Sequence, residues 1–117
     1  MRQIEETILK KIIKYCEDVS CLMHQFDHSF DRYCQEIAFQ YACNMCIIQI
    51  GELVSRLPDA FVEAHTHIPW RAIKGMRNLH AHDYDSVNLE IVWQTLTVEI
   101  PALKAQLENL LNTAFLQ

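Results

Sequence analysis

A chain of 117 residues, 50% hydrophobic and 21% charged, suits one compact globular domain with a modest core that a second copy can help to bury. Its net charge of -5 excludes a broadly cationic surface, so any nucleic-acid site has to be local. With 2 Gly and 3 Pro there are few turns, which excludes a fold of many short strands and favours long helices.

Taken in chain order, residues 4–23 read as a first helix. Ile4, Ile8, Ile12, Tyr15, Val19 and Leu22 recur at steps of three and four and make one apolar stripe, with Lys10, Lys11, Lys14 and Glu17 off it. Residues 24–31 are a polar connection in which Ser29 or Asp31 can cap the next helix. Residues 32–56 read as one long second helix, apolar over most of its circumference from Ile37 to Val54. Such a helix sits centrally in a bundle, lends a face to a second subunit, or both. Gly51 costs helix stability, and its use points to a close backbone approach. Leu57-Pro58 ends that helix, and residues 59–65 form a turn or two. Ile68-Pro69-Trp70 opens a third main helix over about 69–81. After a connection at 83–88, residues 88–115 form the last helix, with Leu89, Val92, Trp93, Leu96, Ile100, Leu103, Leu107, Leu110 and Leu111 on one side. Pro101 is expected to bend or split it. The expected fold is all-α, an up-and-down bundle of four main helices spanning residues 1–117 as a single domain.

Five cysteines (Cys16, Cys21, Cys34, Cys43, Cys46) and no secretory signal argue for a reduced, cytoplasmic chain without a disulfide framework. No uninterrupted apolar stretch is long enough to span a bilayer, so no membrane is expected. Cys43-x-x-Cys46 lies on one helix face with no second pair to complete a metal site, and it reads as buried thiols. His65, His67, His24 and His28 read as solvated histidines. No metal or other cofactor is expected.

The chemistry is concentrated in one stretch. Arg71, Lys74, Arg77, His80 and His82 fall together with no acid between them, followed by Asp83 and Tyr84. Histidine exchanges protons near neutral pH, and the arginine fork matches phosphate oxygens. Together they suit metal-free RNA cleavage, in which a histidine helps a ribose 2′-hydroxyl attack the neighbouring phosphorus and an arginine steadies the added negative charge. Residues five apart, such as 77 and 82, diverge on an ideal helix, whereas 77 and 80 share a face. Arg77 and His82 converge only if the helix turns near Ala81 or if two subunits pool their residues. Spacing alone leaves His80 and His82 both open.

The motif Arg77-x4-His82-x-Tyr84 resembles that of the HEPN superfamily, and within it the HepT-like toxins of HEPN/minimal nucleotidyltransferase systems. Further blocks carry the resemblance over nearly the whole chain: Ile50-Gly51-Glu52, Ile68-Pro69-Trp70, Gly75-Met76-Arg77-Asn78, Ile91-Val92-Trp93 and Ile100-Pro101-Ala102-Leu103. The resemblance implies a homodimer whose two motifs face each other across a cleft. It implies a toxic endoribonuclease with Arg77 and His82 as catalytic residues, RNA rather than DNA as substrate, and a 2′,3′-cyclic phosphate product. It also implies a minimal nucleotidyltransferase antitoxin that adenylylates Tyr84, setting negative charge beside Arg77. His80, Asn78 and Asp83 are auxiliary candidates; His80 departs from many relatives, and Asp83 opposes phosphate approach but can orient an imidazole. Glu52 reads first as a polar contact inside the helix pairing. The competing expectation is a non-catalytic module that docks a nucleotidyltransferase or binds nucleotide, favoured by the acidic net charge.

Overall fold

The computed structural model describes residues 1–81 and 88–116, with 78–81, 115 and 116 described as backbone only. Helix α1 (Gln3–Gln25) opens with the Arg2 backbone N–H donating to the Glu5 carboxylate at 2.9 Å. Its inward seam is Leu9, Ile12, Cys16, Val19 and Met23, alternating steps of three and four as in a coiled coil. This rotates the expected stripe. Ile8, Ile12 and Val19 are in the core, but Tyr15 and Leu22 sit at its edge and Ile4 is 61% exposed. The sevenfold repeat Leu9–Cys16–Met23 wins the central positions.

The chain leaves α1 through Asp27 and His28, both with positive φ (60° and 51°). Ser29 caps helix α2 (Phe30–Gln35), its hydroxyl accepting from the Arg32 N–H at 3.1 Å. The single helix expected over 32–56 is instead two. Glu36 is extended (φ -105°, ψ 109°) and separates α2 from α3 (Ile37–Ser55). Packing explains the break. On one continuous helix, Tyr33 and Phe39 would point about 120° apart; with the break both are fully buried in one aromatic cluster with Phe26 and Trp93. The Tyr33 hydroxyl also reaches Asn44 Oδ1 at 2.9 Å. Arg32 grips the Glu36 carboxylate with Nε and Nη2, and Gln40 Nε2 donates to the carbonyl of Cys34 freed by the break.

Helix α4 (Asp59–Ala64) follows Pro58, and α5 (Trp70–Ala81) follows Pro69. Asn88 caps α6 (Leu89–Gln94), its Oδ1 accepting from Glu90 N–H at 2.9 Å. A wide π turn over Thr95–Glu99 then leads without a gap into α7 (Ile100–Leu116). The disturbance attributed to Pro101 therefore falls in the turn before it. Pro101 offers no N–H, and the chain widens so that Ile100 bonds back to Thr95 across five residues. The composite α6–α7 is the fourth main helix beside α1, α3 and α5. Helix α3 packs against both α1 and α5, and α1 also packs against α7. No strand occurs among the described residues.

Helix α3 is long and apolar enough to cross a membrane by length and composition, although Gln40, Asn44, Gln49 and Glu52 interrupt it, so it is not the uninterrupted apolar stretch that a span would need. Half of α3 is buried inside the bundle, as befits its central helix. Its outer side is unusual: Ile37, Tyr41 and Met45, one turn apart, are each more than half exposed.

Candidate functional site

Helix α5 is oriented by its start. The Trp70 indole N–H donates to the carbonyl of His65 at 3.0 Å, and Trp70, Ile73 and Met76 point inward at steps of three. That burial leaves Arg71, Lys74 and Gly75 on the solvent side and Arg77 at the boundary.

Arg77 lies against α3 at Gly51, where the two helices approach closely. A Cβ added to Gly51 would stand 3.0 Å from Arg77 Cβ, 3.3 Å from Arg77 N and 3.5 Å from the carbonyl of Ile73. Gly51 thus makes the close backbone approach that its placement in a helix foretold. The next residue, Glu52, accepts a hydrogen bond at Oε1 from Arg77 Nη1 at 3.3 Å. The two side chains keep 43% and 34% of their surface exposed. At that exposure the ion pair is worth about 1 kcal/mol at most, so its effect is chiefly on direction. One guanidinium nitrogen is turned toward α3, and the fork has further donors for an anion arriving from solvent.

Of the expected site residues, Arg77 is therefore placed, at the lip of the α3–α5 seam. Asn78 and His80 are on α5, but their side chains lie outside the described residues. His82, Asp83 and Tyr84 lie outside the described residues altogether. The polar contact expected of Glu52 exists, and its partner is the motif arginine itself. No sequence signal pairs two side chains 25 positions apart, so the partner could not be named beforehand.

Cys43 and Cys46 are buried thiols, as is Cys16; Cys21 and Cys34 are exposed. Burial pushes the thiols of Cys16 and Cys43 up to about 12 and that of Cys46 to about 11. His24, His28 and His67 are exposed, and His65 packs against the Phe61 ring at 4.5 Å. Among the described residues no group of three His, Cys, Asp or Glu is arranged to hold a metal ion.

The chain matches the family model for HepT-like ribonucleases over residues 6–110. It is 37% identical over 84 residues to a protein of Caldanaerobacter subterraneus subsp. tengcongensis named as a candidate RNase, covering 72% of this chain and 75% of that one. A protein of Methanocaldococcus jannaschii, also named as a candidate RNase, is 30% identical over 107 residues, with 92% and 90% covered. A candidate ribonuclease HepT of Thermococcus cleftensis is 31% identical over 101 residues, with 82% and 92% covered. No solved structure matches the chain. With nearly the whole bundle, the α3–α5 seam and Arg77 inside the matched region, the chain belongs to the HepT-like ribonuclease family of the HEPN superfamily.

Proposed function

We propose that this chain is the toxin of a toxin–antitoxin pair, a single HEPN domain acting as a homodimeric, metal-independent endoribonuclease. The observation that carries the reading is Arg77. It is turned toward α3 by Glu52, about a third exposed, and set in a segment with no acid from residue 64 to 82. In the proposed reaction the ribose 2′-oxygen attacks the adjacent phosphorus while His82 takes the 2′ proton. The bond to the 5′-oxygen breaks, and that oxygen leaves as a hydroxyl with a proton from an imidazolium, His80 or the His82 of a second copy. Arg77 meets the charge that builds on the non-bridging oxygens. The product is a 2′,3′-cyclic phosphate, and Asn78 and Asp83 are auxiliary. No cofactor is required.

The exposed line Ile37, Tyr41 and Met45 on α3 supports the homodimer, since a contiguous apolar strip on a small domain is an association surface. A minimal nucleotidyltransferase is the proposed antitoxin, silencing the site by adenylylating Tyr84, whose added phosphate would lie two residues beyond His82. A second reading is favoured by the net charge of -5: a non-catalytic module that docks the nucleotidyltransferase and presents Tyr84.

The deciding experiment is RNA cleavage in the presence of EDTA by wild type, Arg77→Ala and His82→Ala, with Tyr84 unmodified. Cleavage by wild type and its loss in both variants supports the ribonuclease. No cleavage by folded wild type moves the assignment to the binding module.

A further inference from the structure

The cations of this protein are unevenly placed. Residues 64–82 hold Arg71, Lys74 and Arg77 with no acid, whereas the rest of the chain has seven cations against fifteen acids. All three lie on α5 at steps of three, so each is a neighbour of the next on the helix surface. Along the axis, Arg71 and Arg77 are about 9 Å apart. Arg71 and Lys74 are exposed, held outward because Trp70 and Ile73 are drawn into the core.

They also border the same cleft, a space of about 220 Å³ between the end of α3, α4 and the start of α5. Its walls include Val54, Leu57, Val62 and Trp70. One acid, Asp59, lines it as well, leaving an excess of one positive charge there. Among the described residues, neither Arg71 nor Lys74 makes an ion pair, unlike Lys10, Lys14, Arg32, Arg77 and Lys104.

We propose that Arg71 and Lys74 form a phosphate track that holds a short single-stranded RNA along α5, on one side of the Arg77 site. The proposal rests on the ribonuclease reading for its substrate and adds where the strand lies. A short track fits the charge: a chain of net charge -5 gains from two or three local phosphate contacts and is repelled by a long polyanion elsewhere.

The test uses a fluorescein-labelled 2′-O-methyl oligouridylate, which lacks the attacking hydroxyl and cannot be cut by the proposed reaction. Its binding to the full chain is followed by anisotropy over a range of salt concentrations. The double variant Arg71→Gln/Lys74→Gln is compared with a charge-matched control, Lys10→Gln/Lys11→Gln, on the far helix α1. The expected result is roughly tenfold weaker binding and a salt slope shallower by about 1.4 for the first pair, with the control near wild type. On a cleavable RNA the same pair raises KM with kcat retained. Equal affinity and slope in the first pair, or an equal loss in the control, overturns the track. Wild type that binds the probe but cuts no RNA leaves the track standing and removes the ribonuclease reading. Wild type that cuts RNA while the first pair binds normally does the reverse.

Discussion

Glu52 Oε1 receives the Nη1–H of Arg77 at 3.3 Å, across a seam where Gly51 lets the two backbones nearly touch. The pair joins residues 25 positions apart and is too exposed to add much stability. Its expected effect is on catalysis. Glu52→Ala should lower kcat for RNA cleavage by roughly tenfold, because Arg77 loses its orientation, while KM holds or falls as a negative charge leaves the phosphate path. Glu52→Gln, which keeps an oxygen acceptor, should recover part of kcat. Steady-state kinetics with thermal melts of both variants check this; a large loss of stability with unchanged kcat in the folded fraction would contradict it.

The two glycines should respond to alanine with opposite sign. At Gly75 an added methyl meets nothing within 4 Å, so Gly75→Ala should stabilise α5 by about 0.5–1 kcal/mol. At Gly51 the same helix gain is opposed by contact with the backbone and Cβ of Arg77, and overpacking of this kind costs about 1–3 kcal/mol. Gly51→Ala should therefore lose about 1 kcal/mol, or about 4 °C in Tm. Circular dichroism melts of the two variants read the contrast directly.

The thiols divide into two classes. Cys21 and Cys34 should react promptly with an aromatic disulfide reagent in the native protein, and Cys16, Cys43 and Cys46 only in denaturant. The same burial has a pH consequence. Thiols raised to about 11–12 in the fold ionise near 8.5 once unfolded, so they favour the fold fully below about pH 8.5 and progressively less as pH rises toward those values. Tm should fall between pH 8.5 and 11, and less steeply in Cys43→Ala.

The outer line of α3 offers a test of the proposed homodimer that leaves the core untouched. Tyr41→Glu/Met45→Glu places two charges on positions that are 57% and 55% exposed in one chain. Sedimentation velocity should show a dimer for wild type and a monomer for the variant, with the helical circular dichroism signal preserved.

Much of this architecture is written in periodicity. The main helices, a cap at Ser29 or Asp31 that the structure gives to Ser29, and the inward side of the last helix follow from spacing and local hydrogen bonding. What escaped the sequence depends on distant packing. The break at Glu36 contains neither Gly nor Pro; it exists because Tyr33, Phe39 and Trp93 meet in one cluster. The seam of α1 turned away from Ile4 because α3 and α7, not the helix alone, choose which side is inward. At the site, Arg77 was legible as a candidate and Gly51 as an exception to helix preference, but the Glu52 contact belongs to the third dimension.

The two tryptophans sit at separate ends of this logic. Trp93 is enclosed by Phe30, Tyr33 and Phe39, around the α2–α3 break. Trp70 stands at the start of α5, 6.1 Å from Phe61, on the wall of the cleft that Arg71 and Lys74 border. The molecule thus carries two indole fluorophores, selectively excited at the red edge of the absorption band, with different neighbourhoods. Replacing Trp93 by Phe leaves a single tryptophan whose signal follows what happens beside α5, and replacing Trp70 leaves one that follows the folding of the aromatic cluster.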